Sequence, residues 1–241
     1  MTDQKPSFAD KLLPTAPANC DLFDGSQAAL LQNLYATIVM ASGIAQPHDE
    51  LKLQLSDRFT VEEMASNPVS LRFLQLLVKM IGARRVLEIG AFIGVSTIYF
   101  AKALPAGGEV VSIEKFDEFA DICRTNFAQN GVADRIRLLV GDAHSVLETL
   151  PQDPKFDLIF IDGNKERYSD YFYMTERLLS PGGLIVVDDA LFHGDALNPV
   201  PKTEKGAGSK ALLNAAAKAH GYDRLLMPFA NGMMLLFKPR S

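Results

Sequence analysis

Cysteine is scarce in this chain of 241 residues, which contains only Cys20 and Cys123. Two thiols without a CxxC pair are too few for a disulfide framework or a thiolate zinc site, so two unpaired thiols are the simplest interpretation. A long apolar run free of charge is also missing, and the first residues lack the apolar core of a signal peptide. These absences favour a cytoplasmic protein with no membrane span.

An excess of positive charge is absent as well. Lys and Arg total 24 against 29 Asp and Glu, which gives a formal net charge of -5. Such a chain has no global basic field that would attract nucleic acid or an anionic membrane. No linker or internal repeat divides the sequence, so we predict one domain, in which a helical N-terminal extension (1–66) belongs to the same domain as the main part (67–241). Residues 1–19, with three prolines, are expected to be irregular.

Short runs rich in Val, Ile and Leu alternate with helical patterns from Arg84 onward. This alternation predicts an α/β fold, with a mostly parallel, doubly wound sheet covered by helices on both faces. Asn231-Gly232 separates the last two apolar runs and is a strong hairpin signal, so the terminal strands are expected to be antiparallel. The seven predicted strands are 85–89, 109–114, 136–140, 156–161, 184–187, 223–229 and 233–238.

Apolar residues at helical spacing lie between the strands and before the first one. The two helices before the sheet are expected to cover one edge. The predicted helices are 27–41, 67–81, 96–102, 116–129, 143–150, 167–179 and 209–220.

The segment Val86 to Ser96 is a hydrophobic strand that runs into a glycine-containing turn and then into a helix. Ligands of open α/β sheets bind at the carboxyl ends of the strands, and Gly90 and Gly94 would let a ligand approach the backbone closely. The same pattern also fits a plain strand-to-helix turn. A dinucleotide is not expected, because GxGxxG would require glycines where Phe92 and Val95 stand.

Acidic residues stand at or near the ends of the first three predicted strands. Glu88 suits a cationic amino group, such as that of S-adenosylmethionine, and Glu114 is placed to accept hydrogen bonds from two ribose hydroxyls. Asp142, with the neighbouring backbone at Ala143, could bind the edge of an adenine. Asp142 is also a good helix cap, and both roles can hold together.

Two further strand ends carry carboxylates, with Asp162 after the fourth strand and Asp188 and Asp189 after the fifth. Neighbouring acids repel one another unless a cation or a basic group compensates them, and an all-oxygen set favours Mg²⁺, Mn²⁺ or Ca²⁺. An isolated Asp at such a position is more often a cap or a turn residue. The clustering here favours a cation site.

Together these motifs resemble those of the cation-dependent class I O-methyltransferase family, which includes caffeoyl-CoA and catechol O-methyltransferases. The resemblance extends over roughly Leu71 to Lys238 and implies a Rossmann-like fold, S-adenosylmethionine and a divalent cation, Mg²⁺ above all. Its motifs are Glu88 to Ser96, Glu114, Gly141-Asp142-Ala143, the D-x-x-K-x-x-Y segment from Asp162 to Tyr168, and Asp188 to Gly194.

By this resemblance Asp162, Asp188 and Asp189 are the metal ligands, and Lys165 is the candidate general base beside the acceptor, with Asp162 in the same catalytic site. Asp189 stands where the family usually has Asn, which adds a negative charge. The resemblance also implies a homodimer and a small catechol-like or other phenolic acceptor, methylated on a hydroxyl. The implied cofactor-binding residues are Glu88, Gly90, Gly94, Ser96, Glu114, Asp142, Ala143 and Asp162.

Other functions remain open at this point. One is a metal-independent small-molecule methyltransferase whose acids only cap helices, and another is a non-catalytic nucleotide-binding module. Retention of Lys165 and the three aspartates argues against the second, and the acidic balance disfavours methylation of RNA. The segment 198–208, rich in Pro and Lys, is expected to form part of a mobile lid over the acceptor.

Overall fold

The computed structural model describes residues 27–228 and 231–240, without the side chains of residues 27–31 and His48. The predictions for residues 1–19, for Cys20 and for Phe229 lie outside the described residues. The chain divides into two compact units between Ala45 and Gln46. The first unit contains helix α1 (Gln27–Ala41), which has the predicted bounds. That residues 1–66 belong to the same domain as the rest of the chain stays a prediction.

The described residues of the second unit form a seven-stranded sheet. Its strands are β1 (Arg85–Ile89), β2 (Glu109–Glu114), β3 (Ile136–Val140), β4 (Phe156–Ile161), β5 (Leu179–Val187), β6 (Asp223–Met227) and β7 (Met233–Phe237). They lie in the order β3-β2-β1-β4-β5-β7-β6. The first five pair in parallel, whereas β7 is antiparallel to both β5 and β6. The predicted fold class is therefore confirmed.

The helices of this unit connect and cover the strands. They are α2 (Pro47–Glu50), α3 (Val61–Met64), α4 (Pro68–Met80), α5 (Val95–Ala103), α6 (Asp117–Gln129), α7 (Ala143–Thr149), α8 (Tyr168–Thr175) and α9 (Glu204–Lys218). Short 3-10 turns cover 133–135, 165–167, 176–178 and 192–197. The predicted helix 167–179 is thus α8 followed by a 3-10 turn.

Alternate residues of the central strands point to two separate hydrophobic cores. Val86 and Phe160 belong to one core, which includes Leu74 of α4 and Phe100 of α5. Leu87 and Ile159 belong to the other, together with side chains of α7, α8 and α9. Each fully buried side chain of this size contributes about 1.5–3 kcal/mol of hydrophobic stabilisation. Helices therefore cover both faces of the sheet, as predicted.

The strand order places the candidate site. It reverses between β1 and β4, and such switch points open a crevice at the carboxyl ends of the strands. The ends of β1, β2, β4 and β5 carry the acidic and glycine motifs. The predicted site residues therefore lie near the carboxyl-terminal ends of the parallel strands. Among the described residues, no helix is long and apolar enough to cross a membrane.

Candidate active site

The loop between β1 and α5 is held close to the end of β4. Gly90 has a φ of 96°, and a Cβ added there would collide with the main-chain carbonyl of Asp162. Gly94 has a φ of 86°, and its Cβ would meet the ring of Phe127. Left-handed backbone and close approach are both properties that glycine permits. A larger residue at either position would therefore strain the backbone and collide with its neighbours.

Glu88 lies at the centre of a buried network of hydroxyls. Its side chain is 0% exposed and accepts hydrogen bonds from Ser96 Oγ and Ser112 Oγ, each at 2.5 Å, and from the Thr97 hydroxyl. Burial raises the pKa of Glu88 to about 7, against the lowering effect of these hydroxyls. The observed role of Glu88 is to join β1, β2 and α5, and its contact with a ligand stays a prediction.

Glu114 at the end of β2 is bound to the backbone of two loops. Its carboxylate accepts hydrogen bonds from Phe92 N at 2.8 Å and Phe116 N at 2.9 Å, and the residue is 5% exposed. Burial raises its pKa, and the backbone donors lower it. Phe92 itself is in the left-handed region, with a φ of 53°. Glu114 therefore stabilises a strained loop, and the predicted ribose contact stays a prediction.

Asp142 follows β3 and begins the helix that follows. Its side chain accepts a hydrogen bond from His144 N at 3.1 Å and lies 3.3 Å from Lys115 Nζ. Ala143 is the first residue of α7. The capping role is thus observed, whereas binding of adenine by Asp142 and Ala143 stays a prediction.

The structure brings Asp162, Lys165 and Asp189 together. Lys165 Nζ lies 3.2 Å from Asp162 Oδ1 and 2.9 Å from Asp189 Oδ2. The three side chains are 14–27% exposed. On the other side of Asp162, Ser66 Oγ lies 3.4 Å from Oδ2 and donates a hydrogen bond to it. Ser66 was not predicted as a site residue, because it comes from a segment 96 residues away from Asp162.

The ion pairs determine the protonation state of Lys165. Burial alone lowers its pKa, but the carboxylate of Asp162, the Tyr168 hydroxyl and the carboxylate of Asp189 raise the pKa well above its ordinary value. The predicted role as general base requires a neutral amine. The observed ion pairs oppose that role for as long as they persist.

Asp188 is the most buried acid of this group, at 5% exposure. Its Oδ1 accepts a hydrogen bond from Asp189 N at 3.0 Å. Burial, together with the neighbouring carboxylates of Asp162 and Asp189, raises the pKa of Asp188 to about 7. Three carboxylates accompany one ammonium here, so negative charge is in excess. Hard oxygen donors with excess negative charge fit a divalent cation chemically.

The geometry of a complete metal site is not observed. The described residues contain no group of three or more His, Cys, Asp or Glu side chains arranged to hold a metal ion. Asp162, Asp188 and Asp189 as a ligand set therefore stay a prediction.

Backbone strain accompanies the loop after β5. Asp189, Phe192 and His193 have φ values of 52°, 40° and 52°. Non-glycine residues in this region cost roughly 1–3 kcal/mol each and are often found at functional sites. The Asn231-Gly232 turn supports the loop, because Leu191 N donates to Asn231 O at 2.8 Å. The hairpin predicted from Asn-Gly therefore also positions the second acidic motif.

Asp195 was not predicted, and it organises the next segment. Its carboxylate accepts hydrogen bonds from Asn198 Nδ2 at 3.0 Å, from Lys202 N at 2.8 Å, and from Thr203 N and Oγ1 at 3.0 and 2.8 Å. These donors, among which the backbone N–H of Lys202 has the largest effect, together lower the pKa of Asp195 to about 2. The predicted helix start at residue 209 is wrong, because α9 begins at Glu204, where Thr203 caps it, and the lid over 198–208 stays a prediction.

Two glycines inside α9 allow this helix to approach the site. A Cβ at Gly206 would collide with the Asp195 carboxylate, and a Cβ at Gly208 would collide with the main-chain carbonyl of Lys165. Glycine in a helix costs up to about 1 kcal/mol relative to alanine, so its presence there signals close packing. That signal was available in the sequence.

Comparison with known proteins gives a consistent set of relatives. The family model described as O-methyltransferase matches residues 46–239. A catechol O-methyltransferase of Mycobacterium tuberculosis is 41% identical over 145 residues, which are 60% of this chain and 66% of that protein. The match thus spans slightly less than two thirds of that relative. A caffeoyl-CoA O-methyltransferase of Populus kitakamiensis is 32% identical, over 69% of this chain and 72% of that protein.

Solved structures are also similar. The O-methyltransferase TomG from Streptomyces achromogenes, involved in tomaymycin synthesis and solved in complex with SAM, superposes with a TM-score of 0.69. It is 30% identical, and the match covers 73% of this chain and 82% of TomG.

Proposed function

Because this chain belongs to the O-methyltransferase family, we propose that it transfers a methyl group from S-adenosylmethionine to a hydroxyl of a small catechol-like or other phenolic acceptor. We further propose that the reaction depends on a divalent cation, with Mg²⁺ as the first candidate and Mn²⁺ or Ca²⁺ as substitutes. The family predicted from the motifs is confirmed, whereas the cation and the acceptor belong to this proposal.

The observation that carries the proposal is the contact between the two motifs. Asp162 N donates a hydrogen bond to Ile89 O at 2.9 Å, and Gly90 packs directly against the carbonyl of Asp162. The glycine loop proposed for the methyl donor is therefore adjacent to the acids and lysine proposed for the acceptor. Methyl transfer requires such proximity, because the attacking oxygen must approach the methyl group in line with the departing sulfur.

The names of the relatives support the choice of donor and acceptor. TomG was solved with SAM, and the two curated relatives are named for catechol and caffeoyl-CoA. In the proposed reaction the sulfur–carbon bond of the sulfonium breaks, an oxygen–carbon bond forms, and the hydroxyl loses its proton. A bound divalent cation would lower the pKa of that hydroxyl and fix its orientation.

The chain's own residues have distinct roles in this scheme. Asp162, Asp188 and Asp189 would hold the cation, and Asp162 also holds Lys165 beside the glycine loop. Lys165 would accept the phenolic proton once its ion pairs are weakened, since only the neutral amine is a base. Lys165→Ala is expected to lower kcat much more than it changes the Kd of S-adenosylmethionine. Equal losses in kcat and cofactor affinity would refute the base role.

The acceptor class is tested with labelled S-adenosylmethionine and a matched set of phenols. Catechol offers two vicinal oxygens, whereas phenol and resorcinol do not. We expect transfer to catechols to exceed transfer to the other two by a large factor, because only vicinal oxygens can chelate one cation. Equal rates for catechol and resorcinol would exclude a chelated acceptor, although the methyltransferase assignment would stand.

We also propose a homodimer in the cytoplasm, with no nucleic acid or membrane partner, following the resemblance and the composition. Light scattering coupled to size-exclusion chromatography measures the mass in solution directly. A mass near twice the 26.4 kDa of one chain is expected, and a monomer at micromolar concentration would contradict the dimer.

A further inference from the structure

The ammonium of Lys165 occupies oxygen atoms that the proposed metal site would use. Nζ lies 3.2 Å from Asp162 Oδ1 and 2.9 Å from Asp189 Oδ2, so one cation already joins the ends of β4 and β5. The Lys165 side chain is only 14% exposed, and water therefore screens these ion pairs weakly. Both aspartates belong to the proposed ligand set.

A divalent cation and this ammonium cannot share these oxygens without cost. Carboxylate oxygens approach Mg²⁺ at about 2.0–2.1 Å and Ca²⁺ at about 2.3–2.6 Å. An ammonium that kept both of its present contacts would then lie within a few ångströms of the metal. Two positive charges at that distance, in a poorly hydrated site, repel each other strongly.

The backbone at Lys165 is fixed by its contacts, so binding of a divalent cation would have to move the side chain of Lys165. The carbonyl of Lys165 packs against Gly208 of α9, and Arg167 N donates to Asn164 O at 2.9 Å within the 3-10 turn. The side chain, by contrast, has a second favourable partner. Nζ lies 5.5 Å from the centre of the Tyr168 ring, a distance at which a cation and an aromatic face attract each other.

We propose that Lys165 is a built-in competitor of the divalent cation, and that metal binding displaces its ammonium from at least one of the two carboxylates. This inference rests on the proposed function, since it assumes that the acidic group binds a metal. Asp189 strengthens the competitor, because an Asn at this position would offer no charged partner to Lys165. The carboxylate of Asp189 thus increases the strength of the ion pairs that the metal must break to displace Lys165.

The affinity of the full-length protein for Mn²⁺ alone tests the competition, measured at one fixed pH without donor or acceptor. Lys165→Met and Lys165→Gln are each expected to bind Mn²⁺ about tenfold more tightly than the wild type, a common size for coupling between two ligands. The second variant keeps a polar side chain, in case the first folds poorly. Lys210→Met is the control, because its ammonium binds the carbonyl of Pro199 at 2.8 Å rather than a carboxylate.

A second arm identifies Asp189 as the source of the effect. In an Asp189→Asn background, the gain from Lys165→Met is expected to shrink, since the competitor has already lost one charged partner. An unchanged gain in that background would overturn the role of Asp189. Weaker or equal Mn²⁺ binding by both Lys165 variants would overturn the competition itself.

A crystal structure of the wild type with Mn²⁺ separates direct competition from repulsion at a distance. We expect Lys165 Nζ to lie beyond 4 Å from the carboxylate oxygens of Asp162 or of Asp189. Bound Mn²⁺ with both ion pairs intact would overturn the inference and leave the proposed function standing. Absence of Mn²⁺ binding in the wild type and in every variant would overturn the metal dependence, and the inference with it.

Discussion

Replacing Glu88 by Gln should remove a large part of the pH dependence of the protein's stability. The Glu88 carboxyl group is fully buried among three hydroxyls, and burial raises its pKa from 4.5 to about 7. Since one pKa unit corresponds to about 1.4 kcal/mol, this rise amounts to about 3 kcal/mol. Because the folded pKa is the higher one, the stabilisation is fully present below pH 4.5 and is lost as the pH rises through 7.

The glutamine variant cannot ionise, so its free energy of unfolding lacks this component. Relative to the wild type, Glu88→Gln should therefore gain about 3 kcal/mol between pH 4.5 and pH 8. Urea unfolding followed by circular dichroism at four pH values in that range measures the difference. Other titrating groups, such as Asp188, are present in both proteins and largely cancel in the comparison.

Glu204→Gln is the matched control, since Glu204 is exposed on α9. Its free energy of unfolding should run nearly parallel to that of the wild type over the same range. If the Glu88→Gln curve is also parallel to the wild type, then Glu88 is ionised in the folded protein without penalty. That result would refute the account of the buried network.

Two further predictions concern α9 and the segment before it. Gly208→Ala should destabilise the protein by about 1–3 kcal/mol in urea unfolding, because its Cβ would collide with a fixed carbonyl, although alanine normally stabilises a helix. Gly221→Ala, where a Cβ meets nothing within 4 Å, is its control, and equal stabilities of the two variants would contradict the packing argument. Asp195→Ala should speed hydrogen exchange at the amides of Lys202 and Thr203, which donate to that carboxylate; unchanged exchange at both would show that Asp195 does not hold the segment.

The sequence predicted the sheet well where strands are buried on both faces. The bounds of β1, β2 and β4 match the apolar runs, because such runs have few other stable environments. The bounds of β3 match as well, although β3 is an outer strand with no buried residue. The start of β5 was missed by five residues, since Pro181-Gly182-Gly183 resembles a turn. Leu179 nevertheless pairs with Phe156 across a register shift. Pairing between distant segments overrode the local signal there.

The start of α9 was missed for a related reason. Gly206 and Gly208 lower helix propensity, so local pattern favoured a loop up to Ser209. The structure instead needs small residues at these positions, where the helix meets Asp195 and the carbonyl of Lys165. Close tertiary packing explains both the glycines and the error.

Motif spacing was sufficient to predict that Asp162, Lys165 and Asp189 lie together, since they follow the ends of two neighbouring strands. It could not reveal how the acids are used. The carboxylate oxygens of Glu88 accept hydrogen bonds from neighbouring hydroxyls, and those of Glu114 accept hydrogen bonds from backbone N–H groups of nearby loops. Such contacts depend on the folded geometry, which residue type and spacing do not specify.

Cation dependence is best measured by following labelled methyl groups from S-adenosylmethionine to catechol, first with Mg²⁺, then with excess chelator, and finally with Mg²⁺ restored. We expect that transfer stops with chelator and returns with the metal, and that Asp188→Asn weakens the response to added Mg²⁺. Transfer that persists in excess chelator would contradict the cation-dependent mechanism and favour a metal-independent methyltransferase. A complete absence of transfer from S-adenosylmethionine to catechol under all three conditions would contradict the proposed donor and acceptor chemistry.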